Sequence, residues 1–343
     1  MWNEIVLYRK YRPRNFEEVL GQDHIIEVLK NAVRLKRISH AYLFSGPRGT
    51  GKTSVARILA AECGCIDIDL LEIDAASSRG IDEIRALRDG VRVMPFQSPY
   101  KVYIVDECQM LTKEAFNALL KTLEEPPKHV IFILATTELE KVPETIVSRC
   151  QHFVFRKIPE AVIRDSVLEV AKKEGFKMDG EAAGLVALFS DGSIRDAQSM
   201  LDQLFSLAEK NLTGEKVRKF LAAPAKNLVE DFVSAIFKKN SDKGLKVIQR
   251  AVEEGIEMKL FLKFILRDIR SILMLQMAPG MEQELKSFFG EDEFNFLKKR
   301  ANIFSNKELG NVLLNLLDAY DSRSGYLPQL PLELALMKIT SEK

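Results

Sequence analysis

Residues Gly46-Pro47-Arg48-Gly49-Thr50-Gly51-Lys52-Thr53 fit the pattern G-x-x-x-x-G-K-[ST] and lie between an apolar run and a helical pattern. That context restricts the chain more than any other feature, because the motif works only where a strand hands over to a helix. The glycines let backbone N–H groups close around phosphate oxygens, and the helix adds the partial positive charge of its N-terminus. Lys52 is then expected to reach the β- and γ-phosphates of ATP. Thr53, followed by Ser54, is expected to offer a hydroxyl to Mg²⁺. A chance glycine-rich turn would require neither flanking element.

The first 160 residues alternate short apolar runs with helical patterns, as in an α/β domain with a mostly parallel sheet. The clearest strands are Ala41–Phe44, Leu70–Asp74, Val102–Val105 and Val130–Ala135. They are rich in Val, Ile, Leu and Phe with little alternation, the composition of strands covered on both faces. Thr112–Glu125 reads as a helix ended by Pro126-Pro127. The strand Lys101–Val105 delivers Asp106 and Glu107 to its C-terminal end, where ligands collect in open α/β sheets. Asp106 is placed to hold the metal, directly or through water, and Glu107 to orient or deprotonate an attacking water. Alone, two adjacent acids after a strand could be solvated loop residues. The phosphate loop argues for the chemical reading.

From about Pro159 strand signals vanish. Segments 160–174, 181–190, 193–209 and 214–222 read as short helices. Beyond Ala222-Ala223-Pro224-Ala225 come longer amphipathic helices, including Leu228–Lys239, Lys243–Glu254 and Met258–Gln276. Their apolar faces are candidates for packing against one another and against neighbouring subunits.

Hydrophobic residues make up 46% of the 343 and charged residues 29%, a globular balance rather than a disordered one. The net charge is only +1, so any contact with nucleic acid must be local. Residues 1–60 are the one basic stretch, with eleven Lys/Arg against five Asp/Glu. Met1-Trp2-Asn3-Glu4 opens no signal peptide, and no apolar run approaches the roughly 20 residues of a membrane span. The four cysteines, Cys63, Cys65, Cys108 and Cys150, form no evident disulfide framework, so a cytoplasmic location is expected.

Together these residues resemble the AAA+ ATPases. The likeness tightens to the clamp-loader branch through Lys10-Tyr11-Arg12-Pro13, Gly21-Gln22 and Leu119–Pro127. Asp74–Asp82 and Phe116–Pro127 are similar to the bacterial gamma/tau family in particular, and Leu327–Ile339 resembles the end of its third domain. The resemblance implies an α/β fold: a P-loop parallel-sheet domain of AAA+ type (1–159), a small helical lid (160–223) and an all-α C-terminal collar for oligomerisation (224–343). It implies an ATPase motor that couples ATP binding and hydrolysis to opening a sliding clamp and loading it on primed DNA, with the other loader subunits, the clamp and DNA as partners. Thr137 matches the sensor that couples the γ-phosphate to the core. Arg149, in Ser148-Arg149-Cys150, matches the arginine that reaches the ATP of an adjacent subunit, and Arg195 the second sensor on the lid. Tyr11 and the Gly21-Gln22 loop would sit at the adenine pocket. A guanidinium at the transferring phosphoryl group is worth several powers of ten in rate.

Departures from the family bear on two expectations. Its usual four-cysteine zinc module is replaced by Cys63-Gly64-Cys65, and two cysteines one residue apart cannot supply tetrahedral zinc, so no zinc is expected. Cys108-Gln109 stand where the family often has an apolar residue and His; these side chains are expected to lie outside the chemistry. The chain stops after the third domain, as in the family's shorter form or a truncated one. For DNA, Ser77, Ser78 and Arg79, ahead of a helix over 81–88, are the candidates for backbone contact, although a capped helix start has the same sequence. Three other functions compete: a non-hydrolysing structural subunit, an AAA+ remodeller of another branch, and a simple P-loop kinase. Intact Gly46–Thr53, Asp106, Glu107, Thr137 and Arg195 oppose the first. Ser148-Arg149-Cys150 and Leu119–Pro127 oppose the second. Over a hundred helical residues at the C-terminal end oppose the third.

Overall fold

The computed structural model describes residues 6–77, 90–207, 209–286, 288–322 and 326–341. The chain divides into two compact units, Met1–Val167 with Ala187–Gln203, and Leu168–Val186 with Leu204–Lys343.

The first unit is built on five strands: β1 (Ala41–Ser45), β2 (Leu70–Asp74), β3 (Lys101–Asp106), β4 (Val130–Thr136) and β5 (Gln151–Val154). They pair in parallel in the order β2-β3-β4-β1-β5. The continuous apolar runs have a simple cause. Tyr42, Phe44, Ile104, Ile131 and Ile133 join one buried cluster, while Leu43, Tyr103, Val105, Phe132 and Leu134 join another. With both faces covered, successive residues must both be apolar. β2 departs from that expectation: it is an edge strand, and its Leu71, Glu72 and Asp74 are exposed. β5 has no such run: Gln151 and Val154 are exposed on this edge strand, and only Phe153 is buried. That is why sequence patterning passed it over.

The helices of this unit are α1 (Leu7–Lys10), α2 (Asp23–Arg34), α3 (Lys52–Glu62), α4 (Lys113–Glu124) and α5 (Glu144–Val147). α2 buries Ile25, Ile26 and Leu29 in the first cluster, and α3 adds Val55 and Leu59. α4 starts where Thr112 accepts from the N–H of Ala115 at 3.2 Å and lays Phe116, Leu119 and Leu123 on the second cluster. Next come α6 (Glu160–Lys173), α7 (Gly180–Phe189), α8 (Ile194–Phe205) and α9 (Gly214–Phe220). Strands do not end at Pro159: β6 (Lys177–Met178) and β7 (Asn211–Leu212) form a parallel pair. At two residues each they are too short for any periodicity to register.

In the second unit, α10 (Lys226–Phe237), α11 (Ser241–Glu253) and α12 (Met258–Met277) are followed by α13 (Glu282–Lys286), α14 (Glu291–Lys298), α15 (Asn306–Asp321) and α16 (Leu330–Ser341). α12 packs on α15, and α15 on α16. Phe232, Phe261, Phe264, Ile265, Leu316 and Leu336 fill the core.

A buried ionic network crosses this apolar interior. Arg267 of α12 pairs with Glu293 of α14 and, at 3.0 Å, with Asp268. Glu293 also lies 3.6 Å from Arg218, which is 3.4 Å from Glu181, itself paired with Lys226 at 2.8 Å. Burial pushes the Asp268 carboxyl up to about 6, against the pull of Arg267. Removing one partner strands the others in a low dielectric, the costly kind of ion-pair loss. Arg267→Ala should therefore lower unfolding free energy by about 3–5 kcal/mol. Urea unfolding of the full chain checks this, and a loss under roughly 1 kcal/mol, the worth of an exposed pair, would contradict it.

Candidate active site

The phosphate loop follows β1 in the interior of the sheet. Gly46 donates its N–H to the Thr136 carbonyl at 3.2 Å, and a Cβ on Gly46 would lie 2.2 Å from the Phe155 carbonyl oxygen. Gly49 is as confined, because a Cβ there would lie 1.9 Å from the Ser193 hydroxyl oxygen. Both have positive φ, +139° and +73°, so geometry and space demand glycine. Thr50 closes the loop by donating to the Pro47 carbonyl at 2.8 Å, whereas Pro47 and Arg48 face solvent. Gly51 is left-handed (φ 103°) and opens α3, whose first N–H groups belong to Lys52, Thr53 and Ser54.

Lys52 is 6% exposed, and its ammonium donates to the carbonyls of Gly46 (2.8 Å) and Pro47 (2.9 Å). Burial lowers its pKa, while the charges of Glu107 and Asp106 act in the opposite direction. Thr53 donates its hydroxyl to Asp106 Oδ2 at 2.6 Å, and Asp106 Oδ1 accepts from the Glu107 N–H at 3.0 Å. Loop lysine, helix hydroxyl and strand-end acids, distant in sequence, thus meet at the C-terminal edge of the sheet. Glu107 adopts φ 48°, ψ 43°, a backbone that few non-glycine residues take up, and it heads the short turn Cys108–Met110.

That turn reverses one expectation. Gln109 does not lie outside the site: its Nε2 donates to Glu107 Oε2 (2.7 Å) and to the Thr137 hydroxyl (2.9 Å). Thr137 donates to the same Glu107 oxygen at 3.0 Å, and Thr136 donates to Gln109 Oε1 at 2.7 Å. Cys108 beside it is fully buried. The signal was present in the paired threonines at the end of β4 and in Gln109 itself, a residue of the right reach two positions after Glu107.

Arg195 is brought to the loop. Ile194, at the head of α8, donates its N–H to the Gly49 carbonyl at 3.2 Å, and the Arg195 guanidinium lies 5.0 Å from the Tyr8 ring centre. The N-terminal segment contributes more than charge. Leu7 donates its N–H to Asp202 of α8 at 2.9 Å, and Arg12 Nε donates to the Ser54 hydroxyl at 3.1 Å. Sequence did not single out Tyr8, and it marked Arg12 only as part of Lys10-Tyr11-Arg12-Pro13, with no role at the site. Tyr11 is half-buried, at the C-terminal end of α1. Gln22 is fully buried and bonded to backbone: it donates to the Arg156 carbonyl at 2.7 Å and accepts from the Arg156 N–H at 3.1 Å.

Arg149 bonds elsewhere, donating to the Thr145 carbonyl and to Glu124, each at 2.7 Å. Ser77 is exposed and donates to the Asp74 carbonyl, while Ser78 and Arg79, with the helix expected over 81–88, lie outside the described residues. Cys63 and Cys65 are buried in the first apolar cluster, and burial drives the Cys63 thiol up to about 12. A thiol held protonated is a poor nucleophile and a poor zinc ligand. At pH 8 the native protein should alkylate slowly at Cys63 and carry well below one zinc per chain. Rapid modification of Cys63 together with stoichiometric zinc in elemental analysis would contradict this.

Residues 21–72 and 65–159 match the family described as the delta subunit of DNA polymerase III. Residues 162–210 match the ATPase lid domain of the DNA polymerase III clamp-loader subunit, and residues 212–341 match domain III of its gamma and tau subunits. Among solved structures, the RuvB branch-migration motor of Thermotoga maritima superposes with a TM-score of 0.51 at 19% identity, over 66% of this chain and 79% of that one, a likeness of fold. The chain is 38% identical over 328 residues to DNA polymerase III subunit tau of Bacillus subtilis, covering 90% of this chain and 58% of that protein. It is 40% identical over 321 residues to the gamma/tau subunit of Mycobacterium tuberculosis, covering 87% and 56%. It therefore spans little more than half the length of these relatives. Against the gamma subunit of Buchnera aphidicola identity is 35% over 320 residues, covering 87% of each chain. With that extent of shared sequence, and lid and third-domain matches running in order behind the sheet domain, the chain belongs to the gamma/tau family of DNA polymerase III subunits.

Proposed function

We propose that the chain is an ATPase motor subunit of a replicative clamp loader, coupling ATP binding and hydrolysis to the opening of a sliding clamp and its loading on primed DNA. One observation carries the reading: the Thr53 hydroxyl and the Asp106 carboxylate meet at 2.6 Å beside the buried Lys52 ammonium, with Glu107 next in the chain. Two oxygens so close suit neighbouring positions around a hard divalent cation, held directly or through water. No group of three or more His, Cys, Asp or Glu suited to a metal occurs among the described residues. Such a site fits Mg²⁺, which takes one or two protein oxygens and completes its shell from phosphates and water. When bound, Mg²⁺ neutralises charge on the β- and γ-phosphates.

Lys52 has its donors turned onto the carbonyls of Gly46 and Pro47, and phosphate oxygens would take their place. The N–H groups of Gly49 to Thr53 line the same cradle. Glu107 accepts a proton from the attacking water as the bond to the γ-phosphorus forms and the β–γ bridge breaks. Thr137 aligns that water, and Arg195, at the head of α8, adds charge to the γ-phosphoryl group. Tyr11 and the Gly21-Gln22 loop are assigned to the base. Arg149, with its guanidinium half-exposed on Glu124, is assigned to the nucleotide of an adjacent subunit.

The same reading keeps the divisions 1–159, 160–223 and 224–343 as sheet domain, lid and collar, and places the protein in the cytoplasm. Exposed Leu314, Leu317, Leu334 and Met337 on α15 and α16 support the collar's role in assembly. Among the described residues no helix is long and apolar enough to cross a membrane. Ser77, with Ser78 and Arg79, is kept as the contact to the DNA backbone.

Two variants separate binding from chemistry. Lys52→Ala should abolish ATP binding, because it removes ground-state contacts. Glu107→Gln should bind ATP as before and hydrolyse it about 10²–10⁴-fold more slowly. Equal loss of binding in both would contradict the assignment. Arg149→Ala should bind ATP yet lose hydrolysis stimulated by clamp and DNA. Mixed with Lys52→Ala chains it should regain activity, since some junctions pair an intact site with an intact arginine. Full stimulated activity of Arg149→Ala alone would remove that residue from the mechanism.

A further inference from the structure

Glu107 must present a carboxylate to a water in one orientation, yet little in its own bonding holds it there. Its side chain has three rotatable bonds, and its backbone sits on a left-handed turn rather than in a strand or helix. Orientation at a reacting centre is worth much of a catalytic effect, and displacement by about 1 Å can forfeit roughly a hundredfold in rate. Some group must fix this acid.

The structure assigns that task to Gln109: we propose that its amide is a positioning residue that ties the Glu107 carboxylate to the Thr136–Thr137 end of β4, so that acid and Thr137 hydroxyl face one reacting water as a unit. The inference rests on the reading of Glu107 given above. The bonding is closed and directional. Gln109 Nε2 uses one hydrogen on Glu107 Oε2 and the other on Thr137 Oγ1, at 2.7 and 2.9 Å. Thr137 passes its own hydrogen to the same carboxylate oxygen at 3.0 Å. Gln109 Oε1 accepts from Thr136 at 2.7 Å, and Thr136 Oγ1 accepts from the Glu138 N–H at 3.1 Å. Thr136 is fully buried in β4, so the whole chain of bonds is anchored to the sheet.

The partners also fix which end of the amide points where. Turned over, the amide would set Oε1 against the Glu107 carboxylate oxygen, two acceptors with no hydrogen between them. No other side chain of similar size does the same work. An imidazole has at most one N–H on each ring nitrogen and cannot serve carboxylate and Thr137 from one atom, and leucine matches the shape with no donor. Asp106 and Lys52 are the charged neighbours of Glu107, one adjacent in the chain and the other in the loop, and the buried Cys108 thiol lies beside it.

The test compares the full chain with Gln109→Leu, Gln109→Glu and Glu107→Gln, measuring ATP affinity and the single-turnover rate of ATP hydrolysis across pH. Gln109→Leu should keep ATP affinity within about threefold and lose about 10–100-fold in rate, a loss confined to the chemical step. Gln109→Glu preserves shape but sets two carboxylates at bonding distance, which must share a proton. The acid limb of its rate profile should move up by about one pH unit or more. A Gln109 out of contact with the reacting acid predicts no such move, and this variant stands in should Gln109→Leu misfold. Rates within twofold of the unaltered chain together with an unmoved profile would overturn the inference. If those results accompany an inactive Glu107→Gln, only the role of Gln109 falls. If Glu107→Gln hydrolyses ATP like the unaltered chain, the reading of Glu107 falls and this inference with it.

Discussion

The whole site hangs on how closely the loop after β1 is pressed between its neighbours. Gly46 is hydrogen-bonded to the end of β4 and faces the Phe155 carbonyl just past β5, while Gly49 is packed on Ser193 ahead of α8. Any Cβ at either position would displace backbone or a buried hydroxyl. Because β1 runs between β4 and β5, the loop inherits their alignment, and Thr136 and Thr137 arrive beside it without a dedicated scaffold. β3, on the other side of β4, brings Asp106 and Glu107 to the same edge. The central strands β1, β3 and β4, buried on both faces, hold these strand ends in fixed register, as a reaction driven by placed charge would require.

Two polar assemblies in this protein follow opposite logic. At the candidate active site, Lys52 is buried on carbonyl oxygens, the kind of partner that an oxygen-bearing ligand could replace. In the second unit, Arg267, Asp268, Glu293, Arg218 and Glu181 are paired with one another in the interior and have little access to solvent. The first arrangement is poised for exchange with a ligand. The second contributes little net stability over an apolar core, yet any partial loss is expensive, so it specifies one packing of α9, α12 and α14.

Much of this was legible in the sequence. The phosphate loop, the strands β1, β3 and β4 and the acids after β3 announce themselves because burial on both faces and glycine geometry leave few alternatives. β2 was legible from its apolar Leu70, Leu71 and Ile73 although it is an exposed edge strand. β5 was hidden because an edge strand with exposed Gln151 and Val154 has no hydropathic signature, and β6 and β7 because two residues make no pattern. Gln109 was misjudged for a different reason. Its contacts are with Thr136 and Thr137, about thirty residues away in the chain, and a motif read in one sequence shows only a residue's neighbours in that motif. Tyr8 escaped likewise, as did the contact made by Arg12, since only folding sets them against Arg195 and Ser54.

The most direct measurement is a crystal structure of the full chain with Mg²⁺ and a non-hydrolysable ATP analogue. Lys52 Nζ should be lifted from the carbonyls of Gly46 and Pro47 onto phosphate oxygen. Mg²⁺ should sit on the Thr53 hydroxyl with Asp106 bound to it directly or through one water, and Glu107 should lie within reach of a water in line with the γ-phosphorus. A nucleotide bound away from Gly46–Thr53, or one seated there with Lys52 still on its two carbonyls and Thr53 still bonded to Asp106, would contradict it.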